Sequence, residues 1–108
     1  MSKITTVAAV LSLLPAVAVA QSKTEMTVGF LDHSGGTIHQ ALSVRNNGLR
    51  PIKAVTIACR FFRYSKLLGA GSIGLENIPP DSAGYTTMRV ASQTPPNRAT
   101  CDIASVKR

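Results

Sequence analysis

Apolar residues recur at every second position through most of the chain from residue 25 onward, and Gly, Pro and Asn break the alternation at short intervals. Period two is the mark of strands with one buried face, and the interrupting residues are turn formers. The pattern predicts six strands and no helix. The first covers about Glu25 to Leu31, with Met26, Val28 and Phe30 inward, and the second about Thr37 to Arg45, with Ile38, Leu42 and Val44 inward. A three-residue Ser34-Gly35-Gly36 loop with a bulge aligns these faces by pairing Phe30 with Gln40, Val28 with Leu42 and Met26 with Val44.

Asn46-Asn47-Gly48 marks the next turn, because Asn-Gly tolerates the positive φ of a tight connection. The third strand follows over about Ile52 to Tyr64, sending Val55, Ile57, Cys59 and Phe61 inward and Thr56, Ala58, Arg60 and Phe62 outward. A fourth passes through Leu67, Leu68, Ile73 and Leu75; a fifth runs from about Tyr85 to Ala91; a sixth, after the loop SQTPPN, from about Thr100 to Val106. So many short strands predict a small immunoglobulin-like two-sheet β-sandwich, with a partly open barrel as the alternative architecture.

Composition adds a location. Lys3 precedes the apolar run ITTVAAVLSLLPAVAVA, which ends in Ala18-Val19-Ala20. A charged start, a short apolar stretch and an A-x-A site read as a secretory signal peptide over residues 1–20, leaving a single domain over 21–108 in a secreted or periplasmic protein. Gln21 follows the cleavage site, so no cysteine is placed there for acylation, and no later segment reads as a membrane span. In an oxidising compartment two cysteines, Cys59 and Cys101, read as one disulfide. Both face inward on separate strands, which predicts a bridge between the two sheets. Loss of Lys3 leaves eleven of the twelve Lys and Arg against all five acids, a formal charge of +6.

Several stretches imitate catalytic motifs. Gly69, Gly71 and Gly74 spell G-x-G-x-x-G, but Leu-Glu-Asn-Ile-Pro-Pro follows and leaves no room for the helix whose N-terminus would hold a pyrophosphate. Ala70-Gly-Ser72-Ile-Gly74 resembles a nucleophile elbow, yet both histidines, His33 and His39, precede Ser72. Glycines within a strand pattern read instead as a bulge or a close backbone approach. The consecutive placement of Asp32-His33-Ser34 argues against convergence as a triad, because neighbouring strand residues point to opposite faces, and Asp and Ser beside Gly-Gly are ordinary turn formers. The predicted hairpin register places His33 and His39 diagonally on one face, but two ligands do not make a zinc site. Nothing here calls for a cofactor or a metal, and the reading is of a protein that is not an enzyme.

The segment VRNNGLRPIKAVTIACRFFRYSKLLGAGSIGLENIPPDSAGYTTMRV, residues 44–90, combines an Asn-rich turn, an alternating strand, aromatics and a proline-containing loop. It resembles the FxLYD domain family of small exported β-proteins. The motif falls on Phe61-Phe62-Arg63-Tyr64-Ser65, where Phe61 and Tyr64 match while Arg63 replaces Leu and Ser65 replaces Asp. The resemblance implies an immunoglobulin-like sandwich in an exported protein and carries over no functional residue.

Function then rests on charge. Arg45, Arg60 and Phe62 take outward positions, with Arg50 and Lys53 toward one end and Arg63, Tyr64 and Lys66 toward the other. Basic groups beside aromatics suit an anionic envelope polymer or another exported protein, whereas export disfavours nucleic acid. The alternative is strand addition, with a sheet edge accepting a segment of another secreted protein. Intact-mass measurement on natively exported material is expected to give a chain beginning at Gln21, lighter by two hydrogens before reduction than after it; a mass retaining residues 1–20 would refute the cleavage.

Overall fold

A computed structural model describes residues 23–108; the signal peptide read over residues 1–20 lies outside the described residues. The element order is β1 (Thr24–Ser34), β2 (Thr37–Asn46), β3 (Ile52–Arg63), β4 (Lys66–Ile78), β5 (Ser82–Ala91) and β6 (Arg98–Lys107). They form two antiparallel three-stranded sheets, ordered β1-β2-β5 and β4-β3-β6, and among the described residues there is no helix. The chain builds a hairpin in the first sheet, crosses to the second at residues 47–51, builds a hairpin there, returns at residues 79–81 and crosses once more at residues 92–97.

The two central strands supply most of the core. Ile38, Leu42 and Val44 of β2 face Val55, Ile57, Cys59 and Phe61 of β3, and Ile52 at the start of β3, Met88 and Ile78 complete the buried set. The two facing rows are the inward positions that alternation assigns, since residues two apart on a strand share a face.

Three expectations are corrected. The first hairpin turns on Gly35-Gly36 alone, both at positive φ, with Ser34 opposite Thr37. The odd residue sits upstream as a bulge between Val28 and Leu31, so Leu31 and not Phe30 opposes Gln40, while Val28–Leu42 and Met26–Val44 pair as expected. Phe30 is 76% exposed. Gln40 explains why the bulge is tolerated: its buried side-chain amide donates to the carbonyls of Gly29 (3.0 Å) and Phe30 (3.2 Å), which the interrupted ladder frees. A consequence is that His33 opposes Ile38 and His39 opposes Asp32, placing the two imidazoles on opposite faces of the sheet.

The disulfide is present but does not link the sheets. Cys59 and Cys101 are direct partners on β3 and β6 of one sheet, with Cα atoms 4.1 Å apart. Inward orientation alone does not separate a bridge between layers from one between neighbouring strands, and the adjacency of β3 and β6 decides it.

Asn46 is likewise more than a turn residue. Wholly buried at the end of β2, it donates to the carbonyls of Arg50 (2.9 Å) and Ile78 (3.0 Å) and accepts from the backbone of Gly48 (2.9 Å) and from Arg108 (2.9 Å). Arg108 also reaches the carbonyls of Arg50 (2.8 Å) and Lys23 (2.9 Å), so one side-chain pair ties the first and last described strands to two crossings.

The glycines of β4 have a steric role. A Cβ on Gly69 would stand 2.9 Å from Val90 Cγ1, and one on Gly71 3.2 Å from Val90 Cγ2, whereas one on Gly74 would meet only a carbonyl at 3.7 Å. Gly69 and Gly71 thus let the sheets close, and a register shift between Phe61 and Phe62 adds the bulge beside Gly69. Gly69→Ala is expected to destabilise by about 1–3 kcal/mol through overpacking, and Gly74→Ala to stay within about 0.5 kcal/mol of the parent, both read from urea unfolding. Asn46→Ala should cost about 1–3 kcal/mol for the buried groups it leaves unpaired; an unchanged midpoint would show that Arg108 and solvent replace it.

Candidate functional site

The β3–β4 hairpin brings chemistry together at one end of the second sheet. Arg63 opposes Lys66 across the two-residue turn Tyr64-Ser65. Tyr64 sits at φ 57°, a left-handed conformation that costs a non-glycine residue about 1–2 kcal/mol. The loop before β6 supports it. The Tyr64 N–H donates to Asn97 Oδ1 at 2.9 Å, the Asn97 N–H donates to the Phe62 carbonyl at 2.9 Å, and Arg98 donates to the Tyr64 carbonyl at 3.1 Å.

Aromatic and cationic groups alternate over this clasp. The Arg98 guanidinium stacks on the Phe62 ring with its carbon 4.1 Å from the centroid, and that of Arg63 lies 5.3 Å from the centroid of Tyr64. Arg60 stands one outward position further along β3, and Lys66 opens β4. Among the described residues the ion pair within 4.0 Å is Arg45–Asp81, at 2.6 Å, so no carboxylate neutralises Arg60, Arg63, Lys66 or Arg98 directly. Tyr64 is 71% exposed and Leu67 is also exposed, which gives the cluster apolar as well as charged surface.

A shallow depression of about 540 Å³ adjoins the cluster on the outer face of the same sheet. Its floor is made of small side chains, Ala58, Ala70, Ser72 and Thr100, and its rim carries Arg60 and Asp102. A trough without bulky side chains, rimmed by one cation and one carboxylate and adjoining the stacked Arg98, can accept an extended, hydrated chain.

The eight surface residues singled out from sequence do not share one face. Arg60, Phe62, Arg63, Tyr64 and Lys66 all lie at the hairpin end, Arg60 and Phe62 on the outer face and the opposed pair Arg63–Lys66 on the other. Arg45 lies on the other sheet, paired with Asp81, and Arg50 and Lys53 lie at the far end, where a groove of about 370 Å³ is lined by Lys23, Leu49, Arg50 and Arg108. Arg98, which sequence reasoning left out, joins the cluster. The signal was present: pairing Cys59 with Cys101 across antiparallel neighbours puts Arg98 opposite Phe62.

The catalytic look-alikes fall apart in space. His33 bonds the Ser92 carbonyl through Nε2 at 2.8 Å, while its neighbours Asp32 and Ser34 are exposed. Gly69, Gly71 and Gly74 are all within β4, which leads into β5 and not into a helix. Among the described residues no three His, Cys, Asp or Glu side chains are grouped to hold a metal ion.

No protein-family model, curated protein or solved structure matches the chain. The cluster is therefore interpreted from its own geometry. A double-mutant cycle on Phe62→Ala and Arg98→Ala, read by thermal unfolding, should give a coupling of about 0.5–1 kcal/mol for the stacked pair; additive effects would show that the stack contributes nothing.

Proposed function

We propose that the protein is an exported, non-catalytic binding module of the cell envelope, secreted or periplasmic, whose hairpin end holds an anionic partner. The observation that carries this reading is the gathering of Arg60, Phe62 and Arg98 on the outer face with Arg63, Tyr64 and Lys66 at the adjoining turn, free of any carboxylate at ion-pair distance among the described residues. Cation–π contact holds the Arg98 and Arg63 guanidinium groups over the Phe62 and Tyr64 rings, which orders them before a partner arrives and lowers the entropy cost of binding. Planar guanidinium groups suit carboxylate or phosphate oxygens, and the exposed rings suit the apolar faces of sugars or of a protein surface.

The partner class is an acidic or phosphorylated envelope polymer, or an acidic patch on another exported protein. Apolar N-terminal patterning, the disulfide and the resemblance to FxLYD domains support export. The excess of basic residues supports the charge of the partner and also its attraction from a distance. A second reading, addition of a strand at an open sheet edge, is favoured by β6, which has a paired neighbour on one side only.

Retention on immobilised heparin across a salt gradient tests the first reading. The parent chain should elute well above a neutral control, Arg60→Ser with Lys66→Ser should elute markedly earlier, and Arg50→Ser with Lys53→Ser at the opposite end should shift far less. Equal sensitivity at both ends would leave only diffuse attraction, and elution with the neutral control would end the proposal.

A further inference from the structure

The two sides of the sandwich are closed to different degrees. Along β4 and β5 the sheets touch, since Gly69 and Gly71 lie against Val90 and Met88, and Gly84 against Ile78 and Leu75. On the opposite side the inward-facing residues of β1 and β6 remain partly exposed. Met26, Leu31, Ala99 and Ile103 are partly buried, as are Ile73, Leu75 and Val90 on the β4–β5 side, but Val28 and Val106 go further, at 41% and 40% exposed, while the inward apolar residues of β2 and β3 are buried. This side also carries the free edge of β6.

The backbone of that edge can be assigned. A Cα separation of 4.1 Å between Cys59 and Cys101 marks a non-hydrogen-bonded antiparallel pair, in which both residues turn their N–H and C=O groups away from each other. By alternation Ala99, Cys101 and Ile103 all present their backbone groups to the free edge, and all three direct their side chains toward the open side. One row of residues thus offers unpaired hydrogen-bonding groups and uncovered apolar surface together, a combination that sheets ordinarily protect.

We propose that this edge pairs antiparallel with the same edge of a second copy, a two-fold arrangement that closes the open sides of both sandwiches. The surface is self-complementary: the same half-covered apolar row meets itself, as an isologous contact requires. Charge selects the register. The straight part of β6 runs from Arg98 to Ile103, where a bulge begins. Centring the pair on Asp102 opposes two carboxylates, and centring it on Cys101 leaves Asp102 opposite Thr100. Centring on Thr100 sets Arg98 of each copy directly across from Asp102 of the other, within the roughly 4.5–5.5 Å Cβ spacing of opposed residues. Arg98 spends one N–H on the Tyr64 carbonyl and keeps others for that carboxylate. The contact shares Arg98, Thr100 and Asp102 with the trough and the cationic cluster but uses neither Arg60 nor Lys66, so substitutions at those two residues test anion binding without touching the dimer.

Analytical ultracentrifugation of the natively exported chain, from micromolar to millimolar concentration, is the test. A species of twice the chain mass is expected. Ala99→Pro removes an N–H that points to the free edge and spares the ladder to β3, so the dimer dissociation constant should rise by roughly tenfold or more. Asp102→Arg should weaken the dimer similarly, and Arg98→Asp combined with Asp102→Arg should restore it to within a few-fold of the parent, a rescue that does not depend on how well the proline variant folds. A monomer at every concentration overturns the proposal, including one that captures a strand from a different protein. So does a dimer indifferent to the charge exchange, or an assembly that grows beyond two chains.

Discussion

The Cys59–Cys101 bond fixes β6 in one register against β3, and much of what lies outside the core follows from that register. Sliding β6 by one residue would turn Cys101 and Ile103 outward and move Arg98 away from Phe62, because side chains alternate strictly between faces. The bond closes a sequence separation of 42 residues, a constraint on the unfolded chain worth roughly 4 kcal/mol. In a domain this small, where the core is thin, that is a large share of the total stability. Its place within one sheet leaves the two layers joined by packing and by three crossings, not by a covalent tie.

Cohesion between layers therefore falls to two local devices. Along β4 and β5 the absence of side chains at Gly69 and Gly71 brings the Val90 side chain into contact with the opposing backbone, so burial there depends on what is missing. At the other end of the strands Asn46 satisfies the backbone of both neighbouring crossings, and Arg108 carries the chain terminus onto the same carboxamide. Only the second reaches the β1–β6 side, where Arg108 bonds the Lys23 carbonyl and Thr24 Oγ1 at one end of the strands. Partly buried apolar residues line both sides, but the inward residues Val28 and Val106 of the β1–β6 side are exposed.

Strand positions and the inward rows of β2 and β3 were legible in the sequence because alternation is a local signal, and each central strand keeps it over ten residues or more. The bulge at Gly29–Phe30 was not, since a bulge and a longer loop shift register by the same single residue. Only Gln40, a polar residue on an apolar face, hinted that freed carbonyls needed a donor there. The partner strand of Cys101 was also open, because period two reports the face of a residue and never its neighbour. From that one ambiguity came both the misplaced bridge and the omission of Arg98. Charge was legible as an amount but not as a place: Arg45, Arg50 and Lys53 are near the hairpin residues in sequence, and the crossing at residues 47–51 sends them to other faces and ends.

Arg98 belongs to both proposals, and this constrains how they combine. Its ring partner Phe62 and its carbonyl partner Tyr64 hold the guanidinium at the start of β6, where one edge faces the hairpin cations and another faces the free edge of the strand. An ion pair with Asp102 of a second copy would draw part of its charge away from the hairpin, while Arg60, Arg63 and Lys66 would be left unneutralised. Dimerisation would then double the number of cationic hairpins on one particle at a small loss of charge in each. For a repeating polyanion that trade favours the dimer, because a second hairpin engaging the same chain binds at a high effective concentration. The physical link between the two surfaces is thus the side chain whose position the disulfide sets.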